Sequence, residues 1–104
     1  MSGFFSDAQG PYIYTAPTDV RDYSLDWTNV LITVGVPPGP DTIQSSSWTV
    51  PAPLIAGVSL VQGNIATQWI ASPTIGTYFV ENTITTSGGR EYTRGFRLIV
   101  TEDI

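Results

Sequence analysis

The chain has 104 residues and a formal charge of -5, and it contains no cysteine, no histidine and no lysine. That length allows one compact domain, and the missing residue types exclude the usual zinc sites, Ser-His triads, thiol nucleophiles, disulfides and Schiff bases, leaving no catalytic, cofactor or metal residues to name. Arg21, Arg90, Arg94 and Arg97 are the only cations against nine carboxylates, too few to replace the counterions of a nucleic-acid backbone.

The chain opens on Met1 to Thr18, which mixes Phe4, Phe5, Tyr12, Ile13 and Tyr14 with Gly10, Pro11 and Pro17. It has neither the basic start nor the long apolar run of a signal peptide, and no run elsewhere reaches a membrane span, so no membrane partner is expected. It is also too aromatic for a disordered tail. It reads as an arm, residues 1–18, ahead of a domain over 19–104.

Tyr23, Leu25 and Trp27 alternate with Ser24 and Asp26, the period of a half-buried strand. Asp19, Asp22 and Asp26 form the densest acidic cluster. Asp22 and Asp26 share a face, but four strand residues put them roughly 13 Å apart, too far for a paired acid and base. Ile32 to Pro40, with Val34 and Val36 ahead of Pro37, Pro38 and Pro40, reads as an inserted, stiff loop. Thr42 to Val50 is a strand with Ser46, Trp48 and Val50 on one face, ended by Pro51 and Pro53. Gly57 to Val61 is a short strand. Asn64 to Ala71 sets Ile65, Thr67 and Trp69 on one side and Gln68 on the other, so Trp48 and Trp69 are expected as central core residues.

The last third carries the strongest pattern. Tyr78, Val80, Asn82 and Ile84 share one face, and Phe96, Leu98 and Val100 share another across Ser87-Gly88-Gly89. A two-residue turn would set Val80 opposite Arg97 and Glu81 opposite Phe96. A three-residue loop sets Ile84 opposite Tyr92, Val80 opposite Phe96 and Tyr78 opposite Leu98. One residue of slip inverts every side chain, so the odd-length loop is predicted, with glycine supplying a positive φ. The same register puts Arg94 on the inward face opposite Asn82, as a rim residue whose stem covers the core edge.

Six or seven short strands with turn signals predict an all-β sandwich whose core includes Trp48, Trp69, Tyr78, Val80, Phe96 and Leu98. The arm and the insertion either tuck onto this domain or contact a partner. The second reading makes Phe4, Phe5, Tyr12, Ile13, Tyr14, Val34 and Val36 a candidate interface, with the aromatics as rigid anchors.

Asp22-Tyr23-Ser24-Leu25-Asp26-Trp27, Leu31, Asp41-Thr42-Ile43, Ser47-Trp48-Thr49-Val50, Trp69-Ile70, Gly76-Thr77-Tyr78, Asn82-Thr83-Ile84-Thr85-Thr86 and Gly89-Arg90 follow one another in an ordered series. This series resembles the fiber-tail adaptor proteins of tailed bacteriophages, from about Ala16 to Val100. The chain departs from the family pattern in its first eighteen residues and in the insertion at Ile32 to Pro40. The resemblance implies an immunoglobulin-like β-sandwich without enzymatic activity, made in the host cytoplasm and placed in the tail or neck of the virion. Its partners would be other virion proteins, a tail fibre or spike among them, with many copies arranged symmetrically. An immunoglobulin-like decoration of capsid or neck is the alternative. A carbohydrate-binding module, with Trp27 or Tyr92 as sugar platform, is the alternative of another class.

Overall fold

A computed structural model describes residues 5–7, 10–33 and 41–102. Among these, eight strands and one short helix follow in order: β1 (Phe5–Asp7), β2 (Gly10–Thr15), β3 (Val20–Asp26), α1 (Thr28–Thr33), β4 (Ile43–Thr49), β5 (Ile55–Gln62), β6 (Ile65–Ala71), β7 (Gly76–Thr86) and β8 (Glu91–Val100). They form a five-stranded sheet, β1-β2-β8-β7-β4, and a three-stranded sheet, β3-β6-β5. The two face each other as an all-β sandwich, about 49 × 29 × 18 Å.

The β7–β8 hairpin has the predicted register, with Ile84 opposite Tyr92, Val80 opposite Phe96 and Tyr78 opposite Leu98. Thr86 N–H donates to Arg90 O at 2.7 Å and Gly89 N–H to Thr86 O at 3.0 Å, so Ser87-Gly88-Gly89 is the loop. Gly89 takes φ +87°, a left-handed conformation that side-chain-bearing residues rarely adopt. Val80, Phe96 and Leu98 are fully buried. Tyr78 is half-buried against them, and its hydroxyl donates back to Thr74 O at 3.2 Å or Ile75 O at 3.3 Å.

Of the two readings left open for the arm, its second half takes the first and tucks onto the domain. Gly10–Thr15 is a strand of the larger sheet, parallel to β8, with Ile13 opposite Leu98 and Thr15 opposite Val100. Ile13 belongs to the core cluster of Tyr23, Leu54, Ile70, Val80, Phe96, Leu98 and Val100 rather than to an interface. The single alternation Tyr12-Ile13-Tyr14 hid this, because one apolar residue between two tyrosines does not reveal which face is inward.

Trp69 also lies elsewhere than expected, on the outer surface and 40 % exposed. Ala66, Gln68 and Ile70 face inward instead. Gln68 can be buried because its amide donates to Trp69 O and Gly57 O, both at 2.9 Å, and to Val58 O at 3.3 Å. A buried amide with its donors satisfied carries little penalty.

The large central side chain is Trp27, 2 % exposed. It stands between β3 and α1, a helix that the sequence pattern did not predict and that takes in Ile32 and Thr33 from the expected loop. Asp26 accepts from the Thr28 N–H at 3.0 Å and from its hydroxyl, satisfying a donor at the helix start. These bonds, the hydroxyl first, hold the Asp26 carboxyl below its ordinary value. Leu31 N–H donates to Trp27 O at 2.9 Å, and Leu31 is buried with Trp27, Ala66 and Ile84 in a second core cluster. Trp48 and Leu25 pack against both clusters and join them.

Asp41 ties the entry of β4 to the hairpin loop. Its Oδ1 accepts from Ser87 Oγ and Gly88 N–H, both at 2.8 Å, and from Thr42 N–H at 3.1 Å, while Oδ2 faces Arg90 Nη1 at 3.6 Å. The Thr86 hydroxyl, then Ser87 and the two backbone donors, lower its pKa to about 2 against the opposing effect of burial. A folded-state pKa below the unfolded one contributes stability above the unfolded value, and that contribution disappears as pH falls through the folded value. The melting temperature is therefore expected to fall between about pH 4 and pH 2. Asp41→Asn, less stable at neutral pH, should show a visibly shallower decline in thermal unfolding measured across that window.

Candidate docking surface

Alternation along the strands gives each sheet an outward face, and each face carries an exposed apolar patch among polar residues such as Thr83 and Thr93 on one and Asp22 and Ser24 on the other. On the five-stranded sheet, Tyr12 of β2, Arg97 of β8 and Phe79 of β7 stand in one cross-strand row, with Tyr14, Ile99 and Thr77 in the next. The Arg97 guanidinium lies 5.1 Å from the Tyr12 ring centroid and donates to Gly10 O at 3.2 Å, so it stacks on the row rather than projecting from it. Tyr12 and Tyr14 meet edge to face at 5.7 Å. Phe79, 53 % exposed, leans over Gly95: a β-carbon there would lie 2.9 Å from the Phe79 Cζ and 2.5 Å from Val80 O. Gly95 thus keeps the ring flat against the sheet.

On the three-stranded sheet, Val20 and Ile55 flank Ala71 in one row, and Ser24 and Leu60 flank Thr67 in another. Between them stands Trp69, with Asp22 on one side and the Gly57-Val58 irregularity of β5 on the other. Val20, Ile55, Val58, Leu60 and Trp69 are each exposed by 40 % or more. Contiguous exposed apolar residues of this kind mark interaction surfaces.

The interface residues expected from sequence divide accordingly. Tyr14 is exposed and Tyr12 half-buried on the outward face, while Ile13 is core. Phe5 lies in β1 opposite Tyr12. Phe4, Val34 and Val36 lie outside the described residues. Sequence reading missed Phe79, Val58 and Trp69 as surface groups. The signal available for Phe79 was its position one residue out of phase with Tyr78 and Val80.

The acidic cluster does not converge on one site. Asp19 accepts from Thr15 Oγ1 at 3.2 Å and Ala16 N–H at 3.1 Å, and Asp26 serves the start of α1. The sugar platform drawn on Trp27 is also corrected, because that ring is core and Arg94 lies over it at 5.8 Å. Tyr92 is half-buried against the second cluster.

The arrangement is that of a small all-β domain with an exposed apolar patch on each outer face, the class of a structural, partner-binding protein. The chain matches, over residues 16–99, the family described as Podophage GP4 fiber-tail adaptor protein gp77. It belongs to that family of structural phage proteins, as a component of the virion tail. No curated protein matches it.

Proposed function

We propose that the chain is a non-enzymatic adaptor that joins a receptor-binding fibre or spike to the tail or neck of the virion. The observation that carries this reading is the pair of exposed apolar patches, around Phe79 and Tyr14 and around Trp69 and Val58, on opposite sides of one thin sandwich. An adaptor must hold two partners at once, and outward faces of two sheets packed together point in opposite directions. The strand order supports reading the domain as immunoglobulin-like: β3-β6-β5 corresponds to strands B-E-D of that topology, and β4-β7-β8 to C-F-G. Tyr78, near the start of β7 with its hydroxyl bonded four residues upstream, stands where that fold places its corner tyrosine.

The test is made in particles assembled with Phe79→Gln or Trp69→Gln protein, after both variants are shown to melt near the parent. One variant is expected to leave the protein off the particle. The other is expected to leave it on but without the fibre or spike, as read by mass spectrometry of purified virions. Particles of unchanged composition with both variants refute the adaptor reading, and loss of this protein alone, with fibres retained, favours the decoration alternative.

A further inference from the structure

A third open surface, distinct from the two faces, lies along the free edge of β5. This strand pairs only with β6 among the described residues, and all eight of its residues are exposed. An unpaired strand edge offers a row of N–H and C=O groups that another extended strand can complete. Proteins usually guard such edges with charge, proline or a bulge. The opposite edge of the same sheet, β3, carries Arg21, Asp22 and Asp26. β5 carries no charge, and none occurs anywhere from Thr42 to Val80. Its one irregularity lies between Ala56 and Ser59, after which Ser59 to Gln62 pair residue for residue with β6.

We propose that β5 pairs antiparallel with β5 of a second copy of this chain, about a two-fold axis through Leu60. This goes beyond the adaptor reading and does not depend on it. Leu60 then faces its own copy, Ser59 faces Val61, and Val58 faces Gln62. Facing residues share a face of the sheet, so these pairs keep every side chain on the side it already occupies. The Gly57 side of the irregularity stays outside the paired segment.

Charge selects the copy over other occupants. Each chain carries -5, so two copies repel over most of their surfaces. The acidic residues nearest β5 in its own sheet, Asp22 and Asp26, lie two strands away on β3. At about 4.8 Å per strand, the corresponding carboxylates of two paired copies are separated by some five strand spacings, well beyond a Debye length of about 8 Å at physiological salt. β5 is therefore a place where two acidic chains can meet without close like charges in that sheet, and a charged foreign strand finds no opposite charge on it. The other neutral edge strand, β4, lies directly beside Glu81 of β7, so the neutral edge strand with no charge on its neighbouring strand is β5 itself. Pairing joins the two three-stranded sheets into one of six, and doubles the outward face that carries Trp69, Val58 and Leu60.

The absence of cysteine gives a direct test with the full chain. Directly opposed residues in an antiparallel pair have Cα atoms about 4.5–5.5 Å apart, within disulfide reach. Leu60→Cys is expected to form a covalent dimer under mild oxidation. Ser47→Cys, exposed on the β4 edge of the other sheet, is expected to form no covalent dimer under the same oxidation. By sedimentation equilibrium the unmodified chain should dimerise with rising concentration, and Leu60→Lys should weaken this at least tenfold while melting normally as a monomer. A parent chain that stays monomeric throughout, a Leu60→Lys chain that dimerises as well as the parent, or equal cross-linking at position 47 overturns the proposal.

Discussion

Trp27→Ala is expected to leave little folded protein at ambient temperature. Trp27 is a fully enclosed side chain that closes the second core cluster with Leu31, Ala66 and Ile84. Removing such a ring costs about 3–5 kcal/mol, against a total stability of about 5–15 kcal/mol for a domain. The ring also has a polar role. Trp27 Nε1 donates to Asn82 Oδ1 at 2.9 Å, and Asn82 Nδ2 donates onward to Ser46 Oγ at 2.8 Å and Ser47 O at 2.9 Å. Asn82 is completely buried, so every one of these bonds replaces water. Trp27→Phe keeps most of the apolar volume but strands the Asn82 oxygen, a loss of about 1–3 kcal/mol. Denaturant unfolding of Trp27→Phe, Asn82→Ala and the double variant should show strong coupling. Additive losses would mean that the two side chains act separately.

This network explains what the ordered motif series encodes. Asp26-Trp27, Ser47-Trp48 and Asn82-Thr83 are far apart in sequence and meet around one buried hydrogen-bonded chain. Asp41-Thr42 and Gly89-Arg90 meet at the hairpin loop. Gly76-Thr77-Tyr78 forms the bonded corner at the start of β7. The residues that identify the family are thus mainly those that specify its core and turns. They say little about which surface binds which partner.

The hairpin was legible in sequence because Val80, Asn82 and Ile84 face Phe96 and Tyr92, and any slip would have buried Arg97 or Glu81. β6 was not legible in the same way. Its two faces, Ile65-Thr67-Trp69 and Ala66-Gln68-Ile70, are similarly apolar, and size alone favours burying the tryptophan. The deciding fact is long-range: two carbonyls of the β5 irregularity, Gly57 O and Val58 O, converge on the Gln68 amide, which also donates to the adjacent Trp69 O. The outward tryptophan follows from that, and the surface missed by sequence reading is the one that fixing Gln68 inward creates. Helix α1 was hidden for a different reason. A six-residue element is too short to show a helical period, and it is held by Asp26 and by the packing of Trp27 and Leu31.

A chain shortened to begin at Ala16 is expected to melt more than about 10 °C below the full chain, or to aggregate. Loss of a buried isoleucine side chain alone costs about 2–5 kcal/mol, and each kcal/mol moves the melting point of a domain this size by about 4–8 °C. Ile13 packs in the first core cluster, and Thr15 is buried with its carbonyl accepting from Thr101 N–H at 2.9 Å. Arg21 Nη1, donating to Tyr14 O at 3.0 Å, ties the same strand to β3 in the opposite sheet. Without β2, the β8 backbone becomes a free edge beside Leu98 and Val100, open to unwanted pairing. A chain beginning at Gly10 separates this structural role from docking. It keeps β2 and loses only β1, which pairs with β2 at the margin of the sheet. That shorter deletion should melt within a few degrees of the parent, and its incorporation into particles then reports on residues 1–9, Phe4 and Phe5 among them. The family match begins at residue 16, just past β2. If the Ala16 chain nevertheless melts with the parent, β2 is a detachable arm and its two tyrosines return to the list of anchors for a partner.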